Sequence, residues 1–353
     1  MTATVLARVQ GQVGRLTLNR PDALNALDLP MIRALRAALD DWADDDAVVA
    51  VVLDGAGPKG LCAGGDVRFM YDDVRCGGNG FATLLAEEYA LDALIARYPK
   101  PYVALMDGVV MGGGVGVSAH GGVRVVTERT TLAMPECSIG YVPDVGGTWL
   151  LARAPGELGT HAALTGARLH AADAIACGLA DVHVPSGRLP ELVAALTGDG
   201  WHPRTHGAHE GAVRTVVDRF ATDPGPSALA ADRPWIDGCF AGDTVTEIVD
   251  LLRGAGHAAT AERVLTGAPL ALVMTLRAVR SARALSLPDA LRQEYRLARS
   301  CTRWPDFTEG VRACLIDRDT PRWNPASLRG VTVDVVGEFL RGGADPADPE
   351  IVF

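Results

Sequence analysis

Apolar and polar residues alternate along the start of the chain, and apolar runs follow. Residues 4–9 and 13–18 alternate, which predicts the two strands of a hairpin. After Asp28, apolar residues recur at helical spacing. An acidic residue directly before such a stretch is typical of the start of a helix. Residues 48–53 form a continuous apolar run, which predicts a strand buried on both faces. The predicted order is therefore ββαβ.

The same alternation of helical and strand patterns continues to residue 184. The predicted helices are 80–97, 113–120, 148–154, 159–165 and 171–177. The predicted strands are 101–106, 123–127, 131–134 and 179–184. Alternating helices and strands predict an α/β fold for this part of the chain.

The pattern changes after residue 185. Residues 186–235 are more polar and contain turn residues, which predicts an irregular linker or insertion. The remainder reads as helices at 244–253, 260–265, 269–281, 287–299 and 306–318, the last of them capped by Asp306. We therefore expect a core at 1–185, a linker at 186–235 and a helical C-terminal region at 236–353.

Composition and charge narrow the class of protein. The chain has 353 residues, 48% of them hydrophobic and 22% charged, as in ordinary globular enzymes. A net charge of −10 argues against a nucleic-acid-binding protein, which needs a basic face. We find no signal-peptide pattern and no apolar run long enough for a membrane span. These features predict a cytoplasmic protein with no membrane partner.

Cysteines and histidines give no sign of a metal or a disulfide framework. The seven cysteines are scattered and form no C-x-x-C pair. Cys137 lies beside an acidic residue, which makes it a candidate for a catalytic thiol. A buried cysteine without a chemical role, a spectator, is the commoner case. His202, His206 and His209 lie in the polar stretch, where solvated loop histidines are expected. We therefore predict no metal site.

Two glycine-rich segments follow predicted strands and can bring backbone N–H groups close to a ligand. One contains Gly64 and Gly65, and the other is the run 111–116. The second also matches the loose dinucleotide pattern G-x-G-x-x-A over residues 114–119. A dinucleotide fold usually carries that pattern on its first strand, whereas here ββαβ precedes it. We therefore favour an anion-binding role at the start of helix 113–120.

Three carboxylates stand in apolar surroundings. Glu136 and Asp144 lie in one glycine-rich loop, and Glu88 falls on the apolar stripe of helix 80–97. Burial raises the pKa of a carboxyl group, which suits acid or base chemistry near neutral pH. Two structural alternatives remain open: Asp144 could cap the next helix, and Glu88 could pair with an Arg.

The chain resembles the crotonase (enoyl-CoA hydratase/isomerase) superfamily. The similar segments are 19–21, 24–27, 62–66, 112–114 and 135–136, and 63–68, 87–89, 100–105, 143–147, 294–297 and 306–313 extend the resemblance over nearly the whole chain. The resemblance implies a spiral of ββα units followed by a helical C-terminal region. It also implies an oxyanion hole formed by the backbone amides of Gly65 and Gly113.

Within the superfamily, the chain is most similar to the hydrolases of 3-hydroxyisobutyryl-CoA, which act in valine breakdown. Hydratases add water with two glutamates, of which one matches Glu136 and the other falls at Gly116, which has no side chain. Hydratases usually carry Gly where this chain has Asp144. The resemblance thus implies thioester hydrolysis, with an enoyl-CoA hydratase or isomerase as the alternative.

The same resemblance implies how the substrate is held. It implies catalytic roles for Glu136, Asp144, Gly65 and Gly113. It implies substrate contacts from Glu88, Gly113, Glu136 and Asp144 and, for the CoA part, from Asn25, Ala63 and Gly64. CoA is then part of the substrate, and no separate cofactor is expected. Members commonly form trimers and hexamers, so a homo-oligomer is also expected.

Overall fold

The computed structural model describes residues 3–198, 209–343 and 348–353. The strands are β1 (Val5–Gln10), β2 (Val13–Leu18), β3 (Ala50–Gly55), β4 (Gly60–Cys62), β5 (Tyr102–Met106), β6 (Val109–Met111), β7 (Val123–Val126), β8 (Thr131–Ala133) and β9 (Val182–His183). The first helices are α1 (Leu29–Ala43), α2 (Val67–Arg75), α3 (Gly80–Ala96), α4 (Gly113–Ala119), α5 (Gly147–Leu151), α6 (Leu158–Thr165), α7 (Ala171–Ala176) and α8 (Leu189–Thr197). The later ones are α9 (His209–Asp218), α10 (Ala228–Ala231), α11 (Arg233–Phe240), α12 (Val245–Gly254), α13 (Ala258–Leu265), α14 (Pro269–Ala282), α15 (Leu287–Arg303), α16 (Pro305–Val311) and α17 (Val333–Gly342).

Two sheets organise the first half of the chain. A six-stranded sheet has the order β1-β2-β3-β5-β7-β9, and only the β1–β2 hairpin in it is antiparallel. A smaller sheet has the order β4-β6-β8 and is parallel throughout. Successive strands alternate between the sheets, so that β3, β5 and β7 enter the large one and β4, β6 and β8 the small one. With the helices between these pairs, the chain forms the predicted spiral of ββα units, which confirms the fold class.

The segment 186–235 differs from the prediction of an irregular linker. It contains α8, α9, α10 and the first three residues of α11. Leu192, Leu196, Val213 and Val217 are buried against apolar side chains of the six-stranded sheet. The polar composition hid this pattern, because each helix buries only one face and exposes the rest to water. The division of the chain at residues 185 and 235 stays a prediction.

The C-terminal helices pack on the spiral around the helices that follow its turns. α14 packs against α5 and α6, α15 packs against α3, and α16 packs against the turn that follows β8. In the described part of the chain no single helix is long and apolar enough to cross a membrane. The pair α13 and α14 reaches that length and composition only together, across a bend of 105°.

The predictions for Asp306 and for the histidines of the polar stretch have different outcomes. Asp306 does not cap its helix, because α16 begins at Pro305 and the carboxylate instead accepts the N–H of Asn324 at 2.6 Å. The prediction of a cap there was wrong. The predictions for His202 and His206 fall outside the described residues, and His209 opens helix α9.

Candidate active site

The carboxyl ends of the three strands of the small sheet meet at one place. β4 ends before Ala63, β6 ends before Gly112, and β8 leads through Met134 and Pro135 to Glu136. Because these strands are parallel, the three segments lie side by side at one edge of the sheet. Ligands commonly bind at the carboxyl ends of parallel strands. The spiral therefore collects residues that are far apart in sequence into a single site.

A cavity of about 510 Å³ opens at this edge. Its apolar wall includes Met70, Ile139, Leu164 and Phe307. Of the predicted site residues, the structure brings together around it Ala63, Gly64, Gly65, Glu88, Gly113, Glu136 and Asp144. A concave, mostly apolar pocket with a few converging polar groups is the usual form of a small-molecule site.

The amides of Gly65 and Gly113 lie next to each other in the cavity wall. A Cβ atom built on Gly113 would lie 3.4 Å from the Gly65 nitrogen. Gly113 is the first residue of α4, where N–H groups have no acceptor within the helix. For the Gly65 N–H we find no acceptor among the described residues. Two unpaired donors side by side can bind one anionic oxygen.

Glu136 occupies the first turn after β8, and its carboxyl group faces these donors. A Cβ atom on Gly112 would lie 3.2 Å from Glu136 Oε1, which places the carboxyl against the glycine run. The side chain is buried, and Oε2 has no partner among the described residues. Burial, and then the charge of Asp144, raise the pKa of Glu136 well above its ordinary value. Such a carboxylate is a stronger base than one in water.

Glu88 comes from the middle of α3, and its helix face is buried as predicted. Its side chain is 1% exposed, while the neighbouring Glu87 lies at the surface and pairs with Arg33 at 2.6 Å. No Arg pairs with Glu88 in the described part of the chain, so the ion-pair alternative is not realised. Oε1 lies 2.4 Å from the position that a Cβ on Gly113 would take. Burial, followed by the charge of Asp144, raises the pKa of Glu88 to about 8.

Asp144 is held by two phenol groups. Tyr89 donates a hydrogen bond to Asp144 Oδ2 at 2.8 Å, and Tyr141 donates to the same oxygen at 3.3 Å. Burial raises the pKa of Asp144 to about 6, and the two hydrogen bonds oppose this rise because they stabilise the charged form. The carboxylate does not cap the following helix. Glu294 of α15 accepts the N–H groups of Gly146 and Thr148 instead.

Asn25 is the one predicted site residue that the structure does not place at the cavity. Its side-chain oxygen accepts the N–H of Arg20 at 2.8 Å, and its amide group donates to the carbonyls of Ala56 and Gly60. The residue is 1% exposed. The polar atoms of its side chain join two loops and hold the loop before Ala63, while a contact between Asn25 and the substrate stays a prediction.

Cys137 lines the cavity but is not set up as a nucleophile. Its thiol contacts Thr275 Oγ1 at 3.3 Å. Burial raises the pKa of Cys137 to about 12, so the thiolate that would attack a substrate is not formed near neutral pH. The spectator role is the one that the geometry supports.

Several polar residues of the site were not found from the sequence. Asp92 follows Glu88 by one helical turn, is fully buried, and has no partner for either carboxylate oxygen among the described residues. Helical spacing, which placed Glu88 on the apolar stripe of helix 80–97, also places Asp92 near Glu88. The burial of Asp92 could therefore have been predicted. Tyr141 and Glu294 gave no comparable signal, because their contacts depend on the folded chain. No group of three or more metal-ligating side chains occurs within residues 3–198, 209–343 and 348–353.

Comparison with known proteins identifies the family. The model of the enoyl-CoA hydratase/isomerase family matches residues 13–340. The chain belongs to this family.

Relatives within the enoyl-CoA hydratase/isomerase family include named hydrolases. A mitochondrial 3-hydroxyisobutyryl-CoA hydrolase of Gallus gallus is 40% identical over 346 residues, covering 96% of this chain and 89% of the relative. The mitochondrial 3-hydroxyisobutyryl-CoA hydrolase of Homo sapiens is 38% identical, covering 96% and 88%. Both relatives are named mitochondrial, which contradicts our expectation of a cytoplasmic protein.

Solved structures in the family carry other names. A carnitinyl-CoA dehydratase from Mycobacterium thermoresistibile is 47% identical with a TM-score of 0.91, covering 100% of this chain and 99% of that one. An enoyl-CoA hydratase from Rhodobacter sphaeroides 2.4.1 is 39% identical with a TM-score of 0.86, covering 96% and 97%. The shared fold therefore does not by itself decide between hydrolysis and hydration.

Proposed function

We propose that the protein hydrolyses the thioester of 3-hydroxyisobutyryl-CoA to 3-hydroxyisobutyrate and CoA, and that it acts in valine breakdown. The observation that carries the proposal is the position of Asp144. This carboxylate faces the same cavity as Glu136 and the free amides, whereas Gly116 offers no second glutamate. The named hydrolases support the choice of substrate.

The amides of Gly65 and Gly113 bind the carbonyl oxygen of the thioester. When water adds to that carbon, negative charge develops on the oxygen, and preorganised donors stabilise it. Each donor of this kind typically lowers the barrier by ~3–4 kcal/mol. Neither amide has to break another hydrogen bond in the described part of the chain before it can bind the oxygen.

The three carboxylates divide the remaining work. Glu136 removes a proton from water as the water oxygen bonds to the carbonyl carbon, or else attacks that carbon itself through an anhydride. Asp144 either orients the water as a carboxylate, while Glu136 passes the proton taken from water to the CoA thiolate, or, when protonated, gives its own proton to that thiolate as the carbon–sulfur bond breaks. Glu88, beside Gly113, holds the 3-hydroxyl group of the acyl chain. A base with a raised pKa, such as Glu136, is suited to taking a proton from water near neutral pH.

A thiol-release assay tests the proposal. The protein is incubated separately with 3-hydroxyisobutyryl-CoA and with a short enoyl-CoA, in the presence of a thiol reagent. We expect free thiol from the first ester only, with no loss of the conjugated enoyl absorbance from the second. If none of a small panel of hydroxyacyl-CoA esters released free thiol, the proposal would be overturned.

A second candidate is dehydration of a hydroxyacyl-CoA, and the 47% identical carnitinyl-CoA dehydratase favours it. That reaction removes water from the acyl chain and leaves the thioester intact. It therefore predicts that enoyl absorbance appears without free thiol. Adding carnitinyl-CoA to the same panel separates the two candidates in one experiment.

Gly116 offers a test of why this chain differs from a hydratase. A Cβ atom there would lie 2.7 Å from Val145 Cβ and 2.8 Å from Asp92 Oδ1. We expect that Gly116→Glu does not create hydratase activity and lowers stability, since overpacking a core typically costs ~1–3 kcal/mol. Thermal unfolding and enoyl absorbance measure the two effects.

The control for Gly116→Glu is a double variant that also carries Asp92→Gly. Removing the Asp92 side chain frees space beside residue 116, so the double variant should regain part of the lost stability. Hydration of enoyl-CoA by the single variant at a rate near that of its thioester hydrolysis would contradict the packing argument.

Tyr89 should tune the pH dependence of hydrolysis. Where Asp144 orients the water and Glu136 takes its proton, both groups must be carboxylates, so kcat/KM should rise as pH increases through an acid limb to which Asp144 contributes at about 6. Tyr89→Phe removes a hydrogen bond that stabilises the charged form, so the pKa of Asp144 rises. Because a hydrogen bond to a charged group is worth ~1.5–3 kcal/mol, the midpoint should move up by about one to two pH units. A pH–rate profile measures the shift.

Tyr102→Phe is the matched control for that profile. Tyr102 is also buried, but its hydroxyl donates to the carbonyl of Val117 at 2.9 Å and does not contact Asp144. Its midpoint should stay at the wild-type pH. An unmoved or lowered midpoint in Tyr89→Phe would show that Asp144 does not control the acid limb.

A further inference from the structure

The loop that follows Asp144 has an unfavourable backbone. Val145 has φ +53° and Gly146 has φ +77°. Positive φ is rare for residues other than glycine and is a genuine outlier for a β-branched residue such as valine. Such a conformation is energetically unfavourable and persists only where the surroundings impose it. Contacts of the loop must therefore supply the constraint.

Contacts from separate elements hold this loop in place. Tyr89 and Tyr141 bind the carboxylate of Asp144, as described above. Burial lowers the pKa of His120 to about 4, so its ring is neutral and can donate from Nε2 to the Val145 carbonyl at 2.8 Å. Glu294 then accepts hydrogen bonds on both of its carboxylate oxygens.

The contacts of Glu294 are the most extensive of these. Its Oε2 accepts the N–H of Gly146 at 2.7 Å. Its Oε1 accepts the N–H of Thr148 at 2.9 Å and also the Thr148 hydroxyl. Glu294 is 0% exposed. It lies on α15, which begins at Leu287 and is therefore far in sequence from the loop that follows Asp144. A buried carboxylate with three donors fixes both the direction and the distance of the loop that it binds.

The local alternative to Glu294 shows why a distant residue is used. At some other helices the residue just before the helix caps it, as Asp28 does for α1 and Ser286 does for α15. At α5 the short-range candidate is Asp144, but its carboxylate points into the cavity and binds Tyr89. A second carboxylate from α15 takes the N–H groups that Asp144 leaves unbound.

We infer that Glu294 is a positioning residue for Asp144, so that the C-terminal helical region completes the active site. Glu294 touches no substrate; it fixes residues 146–148, and with them the backbone on which Asp144 sits. The catalytic meaning of this role rests on the proposed function. The constraint on the loop is independent of that proposal and can be measured by itself.

The test is Glu294→Gln. Gln keeps the size of the side chain but has one acceptor oxygen instead of two, and its NH₂ group would face a backbone N–H. We expect kcat for thioester hydrolysis to fall about 10- to 100-fold, because displacements near 1 Å at reacting groups have effects of this size. KM should change less than about threefold. Amide hydrogen exchange of residues 144–148 should become faster.

The matched control is Asp173→Asn. Asp173 also accepts a backbone N–H and a hydroxyl from a distant segment, those of Leu229 and Ser227, and it does not line the cavity. Its variant should keep the wild-type kcat and the wild-type exchange at 144–148. A purely structural role for Glu294 predicts that both variants lose stability alike and that neither changes kcat in the folded enzyme.

Thr148→Val is a second and milder test of the same contact, and it does not depend on whether the Glu294→Gln variant folds. It removes only the hydroxyl donor and keeps the side-chain shape, so kcat should fall about 3- to 10-fold with faster exchange at 144–148. Unchanged kcat and exchange in both variants overturn the inference. If the wild type releases no thiol but exchange still quickens in the variants, the proposed hydrolysis fails while the positioning stands.

Discussion

Replacing Glu136 with Gln should lower kcat for thioester hydrolysis by about a thousandfold, within the usual range for loss of a general base. The amide keeps the shape of the buried side chain but cannot accept the proton of water or attack the carbonyl. KM should change little, because the cavity walls and the amides of Gly65 and Gly113 remain. Steady-state thiol release measures both constants.

Glu87→Gln is the matched control for this substitution. It makes the same chemical change at the surface face of α3, where the exposed ion pair with Arg33 contributes little to stability. Its kcat should equal that of the wild type. Equal losses in the two variants, or no loss in Glu136→Gln, would remove Glu136 from the mechanism.

Single-turnover hydrolysis in heavy-oxygen water separates the two roles of Glu136. A general base leaves the label only in the released carboxylic acid. A nucleophile forms an anhydride, and label then enters the Glu136 carboxylate when water opens it. Label in Glu136 would exclude the simple base.

Gly113→Ala should reduce kcat/KM by about a hundred- to a thousandfold. The new Cβ atom would lie 2.4 Å from Glu88 Oε1 and 3.4 Å from the Gly65 nitrogen. It therefore displaces the Glu88 carboxylate and narrows the space where the thioester oxygen binds. Loss of one oxyanion donor has an effect of this magnitude. The change should appear mainly in kcat, measured by thiol release.

Gly122→Ala provides the control for Gly113→Ala. Gly122 lies beyond the other end of α4, and a Cβ atom there would meet nothing within 4 Å. Its activity should match that of the wild type. If Gly113→Ala kept full activity, the donors would not be placed as the geometry indicates.

The spiral could be predicted from the sequence because its signals are local. Apolar runs and helical spacing gave the strands of the large sheet and helices such as α1 and α3. The segment 186–235 was misread because α8 and α9 each bury a narrow face against the sheet. That burial depends on a sheet made from residues distant in sequence, which a local pattern does not contain.

The site was partly predictable for the same reason. Glu88 could be found because a helix fixes which residues share a face, and its neighbourhood proved to be a cavity. Asn25 does not line the cavity, and family resemblance cannot tell a residue that contacts a ligand from one that supports the loop beside it. Glu294 was missed because its contact spans 146 residues or more and nothing in its own sequence points to Gly146.

The contact between Glu294 and the loop at Gly146 also affects when the folding chain becomes active. Contacts between residues so far apart in sequence form late in folding, because a long loop must first be closed. During synthesis, the spiral with its glycines and Glu136 leaves the ribosome before α15 does. The nascent chain can therefore hold the glycine amides and Glu136 before Glu294 fixes the Asp144 loop, so that catalysis would begin only after α15 has been made.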